Sequence, residues 1–171
     1  ISGGLVGSEM CIRDRPDRIT EVNSLRNQFH HVIDIAPTIL AAAGLKWPET
    51  VNGIEQMPVD GVSMEYSFND ADALSARKTQ YFEIFGNRAI FHEGWIASCF
   101  HGRVPWIRLK GYEFGGDQEK WELYNVDEDF SQSEDLSDIY PDKLAELQNL
   151  FATEAVKHNV FPLRDTSLRI S

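Results

Sequence analysis

The sequence predicts an α/β chain that ends in a small four-stranded antiparallel sheet packed against one C-terminal helix. Two patterns predict this fold. Between residues 79 and 126, short runs of aromatic and β-branched residues are separated by two-residue turns that contain glycine, which is typical of an antiparallel meander. After Pro141, apolar residues recur at helical spacing, and one sheet face covered by one helix is a stable two-layer unit.

The segment before the sheet predicts one helix. Residues 29–33 form an extended entry, and Asp34 is expected to cap the helix by accepting hydrogen bonds from its first N–H groups. Pro37 falls in the first turn, where its missing N–H costs nothing, and Gly44 is expected to end the helix. Residues 47–78 carry repeated turn signals, so we expect connecting loops there.

The predicted strands of the sheet are residues 80–85, 88–92, 95–100 and 119–126, with turns at Gly86-Asn87 and Glu93-Gly94. The final helix is expected to end near Asn159, which suits a left-handed residue after a helix. The expected core consists of Tyr81, Phe82, Trp95, Ile96, Trp121 and Leu123 from the sheet, with Leu144, Leu147, Leu150, Phe151 and Ala155 from the helix.

The charge of the chain excludes two classes of partner. The 171 residues carry a net charge of -11, and the acidic residues are spread along the sequence. Nucleic acids and anionic membranes attract clustered lysine and arginine, so we expect neither as a partner. No apolar run approaches the roughly 20 residues that span a bilayer. Cys11 and Cys99 form no CxxC pair and the histidines form no HxH or HExxH motif, so no zinc site is predicted.

One loop concentrates side chains that suit a ligand. Residues 101–110 place several basic side chains around one tryptophan in an otherwise acidic chain. Cations beside an aromatic ring suit an anionic or aromatic ligand. The predicted substrate-binding residues are His101, Arg103, Trp106 and Arg108. The alternative interpretation is a solvated hairpin whose arginine stems lie along its surface.

An acidic stretch follows the last predicted strand. Asp127, Glu128 and Asp129 precede Ser131 and Ser133, but the stretch lacks the glycine and the final glutamate of an EF-hand loop. The sequence therefore predicts a capped turn here, and not a calcium site.

Several motifs, in order, are similar to those of the formylglycine-dependent (type I) sulfatases. Residues 28–40, QFHHVIDIAPTIL, resemble the HVxDIxPTxL segment of that family, and residues 60–63, DGVS, resemble its DGxS element. Residues 81–95, then 120–125 (KWELYN), then Asp135-Leu136 resemble its C-terminal run. The resemblance covers about residues 29–162 and is closest in look to bacterial arylsulfatases.

The resemblance implies a fold and a chemistry. Residues 16–46 would be the end of an alkaline-phosphatase-like α/β catalytic domain, and residues 79–171 its C-terminal subdomain. The parent would hydrolyse sulfate esters, aryl sulfates in particular, to an alcohol or phenol and sulfate. It would use a calcium ion and a formylglycine that is made from the first residue of a CxPxR or SxPxR motif.

None of those catalytic positions matches this chain. Cys11 is followed by IRDR rather than by xPxR, so no catalytic or metal-binding residue is predicted. Residues 1–15, ISGGLVGSEMCIRDR, resemble translated sequencing-adapter DNA, and we expect a non-native leader on a truncated protein. The main hypothesis is an inactive fragment whose partner is the missing N-terminal catalytic domain. The alternative is a self-standing, non-catalytic acidic binding module.

Overall fold

The computed structural model describes residues 18–21, 23–104, 107–108 and 119–163. They form two compact units, a first that ends at Arg77 and a second that begins at Lys78, called here the N-terminal and C-terminal units. The proposed leader, residues 1–15, lies outside the described residues. Within the described ranges, no helix combines the length and apolar character that crossing a membrane requires.

The N-terminal unit contains little regular structure. A 3₁₀ helix (Val32–Asp34) leads into helix α1 (Ile35–Ala42), a hairpin follows (β1, Thr50–Val51; β2, Ile54–Glu55), and a second 3₁₀ helix spans Met64–Ser67. Gly44 follows α1 with a φ of 71°, and its N–H donates to the carbonyl of Ala41 while Leu45 N–H donates to Leu40. This pair of bonds is a Schellman motif, and the predicted end of the helix is confirmed.

Asp34 does not cap α1, so that prediction was wrong. Its side chain makes no capping hydrogen bond to α1 and is fully buried. The carboxylate instead accepts from the guanidinium of Arg77 and from the backbone N–H groups of Val62 and His31, each of the latter at 2.8 Å. A buried carboxylate needs partners that compensate for its lost hydration, and a guanidinium that donates twice compensates better than helix amides alone.

The two N-terminal motifs of the resemblance are bonded to each other. The Thr38 hydroxyl donates to the Asp34 carbonyl at 2.6 Å and accepts from Met64 N–H at 2.8 Å. A Cβ on Gly61 would overlap the carbonyl of Ile33, so only glycine fits this approach. Arg77 also donates to the carbonyl of Asp60 at 3.0 Å. The two motifs, together with Met64 and Arg77, therefore hold the N-terminal unit together.

The C-terminal unit has the predicted architecture. Four antiparallel strands lie in the order β3 (Thr79–Ile84), β4 (Asn87–His92), β5 (Trp95–Cys99) and β8 (Trp121–Asn125). Helix α2 (Pro141–Lys157) packs on the sheet, and a separate hairpin joins β6 (Arg103–Val104) to β7 (Ile107–Arg108). The predicted sheet with its C-terminal helix is confirmed.

The core lies between one face of the sheet and α2. Tyr81, Ile90, Ala97 and Leu123 are register partners across all four strands, and the last three are fully buried. From α2, the buried side chains are Leu147, Phe151 and Ala155. Asn159, at a φ of 56°, follows the helix as predicted.

Two residues expected in this core are not part of it. Phe82 and Ile96 follow Tyr81 and Trp95 by one position, and both of those neighbours pack against the core cluster. Successive side chains of a strand point to opposite faces, so Phe82 and Ile96 belong to the other face of the sheet.

The first turn of the sheet is displaced by one residue from its predicted place. Phe85 and Gly86 occupy it, with φ values of 52° and 87°, and Asn87 instead begins β4 opposite Ile84. The second turn, Glu93-Gly94, lies where it was predicted. A two-residue turn with both φ values positive matches the twist of the strands. The strand register therefore places Phe85 in the turn, although a positive φ is unusual for a residue with a bulky side chain.

Candidate functional site

The predicted ligand loop begins directly after β5. In the hairpin of β6 and β7, Arg103 is the register partner of Arg108, and Val104 is that of Ile107. The fold therefore brings two of the predicted substrate-binding residues to one position. Trp106 lies outside the described residues, and its role stays a prediction.

His101, the first predicted ligand residue, is buried. Its side chain is 1% exposed, and its ring Nδ1 is hydrogen-bonded to the carboxylate of Glu119. Its backbone N–H donates to Asn87 Oδ1 at 2.9 Å. His101 thus lies inside a charged cluster at the base of the loop, which consists of Arg88, His101 and Glu119 and is called here the Glu119 cluster. A direct contact between His101 and a substrate stays a prediction.

Arg88 supplies the positive charge of the Glu119 cluster. Its Nη2 donates to Glu119 Oε2 at 3.0 Å, and its Nη1 donates to the carbonyl of Gly86 at 3.0 Å. The guanidinium carbon lies 5.3 Å from the centre of the Trp121 ring, a cation–π distance. Arg88 and Trp121 share a sheet face because both are aligned with Cys99 in the strand register.

The Glu119 cluster closes the base of the loop. His101 precedes the segment of residues 102–118 and Glu119 follows it, so their hydrogen bond ties the two ends of that segment together. Both side chains are at least nine-tenths buried, and a carboxylate removed from water to this extent needs hydrogen-bond partners such as His101 and Arg88. The cluster therefore fixes His101, the first residue of the predicted ligand loop, beside Glu119, which lies just ahead of β8.

Neither the Glu119 cluster nor the adjacent Cys99 offers a nucleophile. Burial raises the pKa of the Cys99 thiol, and the nearby carboxylates of Glu119 and Glu122 raise it further against the opposing effect of Arg88. A thiol with a raised pKa stays protonated at neutral pH and reacts slowly. Cys99 is thus a packed core residue.

The described residues do not fit the calcium ion that the sulfatase resemblance implies. No group of three or more histidine, cysteine, aspartate or glutamate side chains among them is arranged to hold a metal ion. The acidic stretch after β8 uses its own carboxylate: Asp129 accepts from the Ser131 hydroxyl at 2.7 Å and from the N–H groups of Ser133 and Glu134 at 2.6 and 3.0 Å. These bonds, that of Ser131 first, hold the pKa of Asp129 at about 2. This is the predicted capped turn.

Sequence reasoning missed the residues that organise both units. Arg77 lies in a polar, alanine-rich segment that was expected to be a loop, and no local pattern marks it as buried. Arg88 carried a detectable signal, because the predicted strand pairing aligns it with Cys99 and Trp121 on the core face. A charge at a core position requires a buried partner, and Glu119 lies just ahead of the last strand.

Comparison with known proteins gives a likeness of fold. No family model matches the chain. One solved structure, BT4656 in complex with its substrate D-glucosamine-2-N,6-O-disulfate, has a TM-score of 0.51 and 16% identity. The match covers 78% of this chain and 25% of that one.

Two further solved structures score lower. BT33336S-sulf, from work on glycosaminoglycan metabolism by Bacteroides thetaiotaomicron, has a TM-score of 0.48 at 20% identity, over 72% of this chain and 24% of that one. Ps i-CgsB has a TM-score of 0.45 at 21% identity, over 78% and 25%. The chain thus spans about a quarter of the length of the structures it matches. Its described fold, an α/β piece that ends in a four-stranded sheet and one helix, is similar to the matching part of BT4656.

Proposed function

We propose that this chain is the C-terminal part of a sulfatase and has no turnover of its own. The parent hydrolyses sulfate esters, with aryl sulfates as the substrate class, and draws its calcium ion and its formylglycine from the missing N-terminal catalytic domain. This chain contributes a C-terminal subdomain that holds one loop at the edge of the substrate pocket.

The exposed apolar surface of the N-terminal unit is the observation that carries the proposal. In and around α1, Val32 is 68% exposed and Ile39 is 62% exposed, and Ile35 is exposed as well. Ile35 and Ile39 are spaced as on one face of a helix, and exposed apolar residues in such an arrangement favour a surface that another element covers. The chain is similar in fold to BT4656 over about a quarter of that protein's length. This partial coverage supports a missing catalytic domain as the element that covers the apolar face.

The loop proposal rests on charge. Arg103 and Arg108 are register partners in the β6–β7 hairpin, so the backbone brings two cationic residues to one position, which suits a ligand that carries a counter-charge. An anionic sulfate ester supplies that counter-charge. Trp106, between them in sequence, offers an aromatic surface for an aryl group. No acid, base or nucleophile stands in a recognisable catalytic constellation in the loop, so its proposed contribution is to binding.

Two experiments test the fragment hypothesis. The purified chain is assayed with 4-nitrophenyl sulfate and with D-glucosamine-2-N,6-O-disulfate, each with calcium and each against a blank without protein. We expect no turnover, because removing a nucleophile and a metal costs many orders of magnitude in rate. Turnover above the blank would refute the inactivity. Extending the reading frame upstream of Pro16 tests the parent: a CxPxR or SxPxR motif there supports the proposal.

A second function is favoured by the C-terminal unit alone. Its core cluster is closed, with Ile90, Leu123 and Leu147 fully buried, as in a domain that folds independently. This favours a non-catalytic binding module that uses the loop of residues 101–110 for an anionic ligand. A start codon close to Pro16 in the natural gene would support the module and count against the fragment.

A further inference from the structure

The turn of the β1–β2 hairpin carries a pair of residues that occurs once in this chain. Asn52 and Gly53 form the turn, and Asn52 is the only asparagine of the sequence that a glycine follows. Both residues have positive φ values, 52° for Asn52 and 79° for Gly53, as a type I′ turn requires. Asparagine and glycine tolerate this conformation best, so the turn itself explains why the pair stands here.

The polar groups of this turn are exposed and unbonded. Both residues are solvent-exposed. Within the part of the chain that the structure describes, the Asn52 carboxamide makes no hydrogen bond, and the Gly53 N–H donates to no carbonyl. A Cβ placed on Gly53 would meet no atom within 4 Å, so the space beside its amide is open. No bond and no packed side chain therefore holds the carboxamide of Asn52 away from the amide that follows it.

Asn159, after helix α2, shows which part of this arrangement is special. Its φ of 56° nearly equals that of Asn52. The residue that follows it is the β-branched Val160, whose N–H donates to the carbonyl of Ala155 at 2.8 Å. Its neighbouring amide is thus both shielded and bonded. The left-handed conformation alone does not distinguish Asn52, whereas the free, unhindered amide of Gly53 does.

The hairpin that holds the turn is small and exposed. It has two register pairs, Thr50 with Glu55 and Val51 with Ile54, and one further backbone bond beyond them. All four paired residues are exposed. A two-stranded hairpin without a buried face is marginally stable in water. Local opening, which lets the backbone of Asn52 leave the turn conformation, therefore costs little free energy.

We propose that Asn52 is a site of spontaneous deamidation in the folded chain. Hydroxide takes the proton of the Gly53 amide, and the nitrogen attacks Asn52 Cγ. A C–N bond forms and closes a five-membered succinimide, while the Cγ–Nδ2 bond breaks and ammonia leaves with a proton from water. Water then opens the ring: cleavage of the new C–N bond gives aspartate, and cleavage of the original peptide bond gives isoaspartate. The net reaction consumes one water, releases one ammonia and needs no other reactant.

The two products affect the hairpin differently. Aspartate followed by glycine also forms type I′ turns, so this product keeps the strand register and adds one negative charge. Isoaspartate carries its main chain through the former side chain, which inserts one extra backbone atom between Val51 and Ile54. That pair then loses its register. The inference is independent of the proposed sulfatase function, since it uses no substrate-binding residue.

Peptide mapping by mass spectrometry after incubation of the purified full-length chain tests the proposal. Proteolysis in oxygen-18 water marks any deamidation that occurs during sample preparation. The reference is the peptide acetyl-Val-Asn-Gly-Ile-Glu-amide under the same conditions, and Asn159 is the internal control. We expect Asn52 to convert at a rate within about tenfold of that of the peptide, because a marginal hairpin opens readily. Asn159 should convert at least about tenfold more slowly than Asn52.

A matched pair of glycine variants separates the chemistry of the turn from a general change in stability. Gly53→Ala places a methyl group beside the attacking nitrogen and should slow the conversion of Asn52 about tenfold. Gly44→Ala makes the same change at another glycine of positive φ with open space around it, and should leave the rate unchanged. Any one of three results would overturn the proposal: conversion of Asn52 more than tenfold slower than that of the peptide, equal rates at Asn52 and Asn159, or equal effects of the two glycine variants.

Nuclear magnetic resonance of the incubated chain tests the structural consequence. The Ile54 amide signal should keep its position in the variant Asn52→Asp, which adds the charge without changing the backbone. In the incubated wild type, a second Ile54 signal should grow in proportion to the isoaspartate found by peptide mapping. A signal that stays single while isoaspartate accumulates would contradict the predicted loss of register.

Discussion

The two units of this chain differ in what they do with their aliphatic side chains. In the C-terminal unit, Ile90, Leu123 and Leu147 are fully buried between a sheet and a helix. In the N-terminal unit, Val32 and Ile39 are mostly exposed, and its most buried residues are polar, Asp34 and Thr38 among them. One unit is held by an apolar core and the other by hydrogen bonds and an ion pair. Burial of apolar side chains stabilises the folded state directly. A buried ion pair adds little net stability, but removal of one partner leaves an uncompensated buried charge and destabilises the fold strongly.

The largest expected effect comes from breaking the ion pair of the N-terminal unit. Asp34→Asn leaves the Arg77 guanidinium buried beside a neutral amide, and removal of one partner of a buried pair costs about 3–5 kcal/mol. We expect the N-terminal unit to unfold while the C-terminal unit keeps its structure. The amide signals of Val62 and Leu123 report on the two units separately in a nuclear magnetic resonance spectrum. Asp72→Asn, an exposed change in the same unit, serves as the control and should leave both signals in place.

Truncation of an apolar side chain should have a large effect in the C-terminal unit and almost none in the N-terminal unit. Leu147→Ala creates a cavity in the closed core and should lower the free energy of unfolding of the C-terminal unit by about 2–5 kcal/mol. Ile39→Ala removes an exposed side chain and should change stability by less than about 0.5 kcal/mol. Denaturant unfolding followed by tryptophan fluorescence measures both. A large loss from Ile39→Ala would mean that α1 is covered in solution.

Acid should weaken the N-terminal unit within a defined range. Burial alone would raise the pKa of Asp34, but the bonds from Arg77, Val62 and His31 hold it at about 2, below the usual 3.8. Because the folded pKa lies below the unfolded one, the stabilisation is complete above about pH 4 and is lost as the pH falls toward 2. The loss is on the order of 2 kcal/mol. A pH titration of the Val62 amide signal measures it, and the Leu123 amide signal of the C-terminal unit serves as the internal reference.

The smallest expected effect concerns the loop. In a restored full-length enzyme, Arg103→Ala should raise KM and leave kcat near that of the wild type, because it removes a contact that binds substrate and transition state alike. A single exposed ionic contact is worth about 1 kcal/mol. Steady-state kinetics with an aryl sulfate decides this. A collapse of kcat at constant KM would place the loop in the catalytic centre, and no change in either would favour a solvated hairpin.

How far the sequence predicts this molecule also differs between the units. In the C-terminal unit, the period of the apolar residues, the Glu93-Gly94 turn and the last helix were all predicted, because each follows from local spacing. Phe82 and Ile96 were misassigned because a run of apolar residues does not say which face of a strand is the core. The first turn was predicted one residue too late, at Gly86-Asn87 instead of Phe85-Gly86. The prediction relied on the preference of Gly and Asn for turns, whereas the register of the strands determined the turn's position.

The N-terminal unit and the loop base were predicted less well, for a physical reason. Asp34 and Arg77 are 43 positions apart, and His101 and Glu119 are 18 apart. Pairs of this kind depend on which segments meet in space, and no periodicity records that. The motif around Asp34 could be recognised, yet its role as the partner of Arg77 required coordinates.

Amide hydrogen exchange of the purified full-length chain tests the central claim most directly. Under the proposed fragment hypothesis, the N-terminal unit lacks a surface that would cover its exposed apolar residues, whereas the C-terminal unit buries its own core. We predict that the amides of β3–β5, β8 and α2 exchange slowly, at rates set by global unfolding, and that the amides of α1 exchange orders of magnitude faster by local opening. Equal protection of α1 and α2 would contradict the account, because it would show that the N-terminal unit is stable without a partner domain.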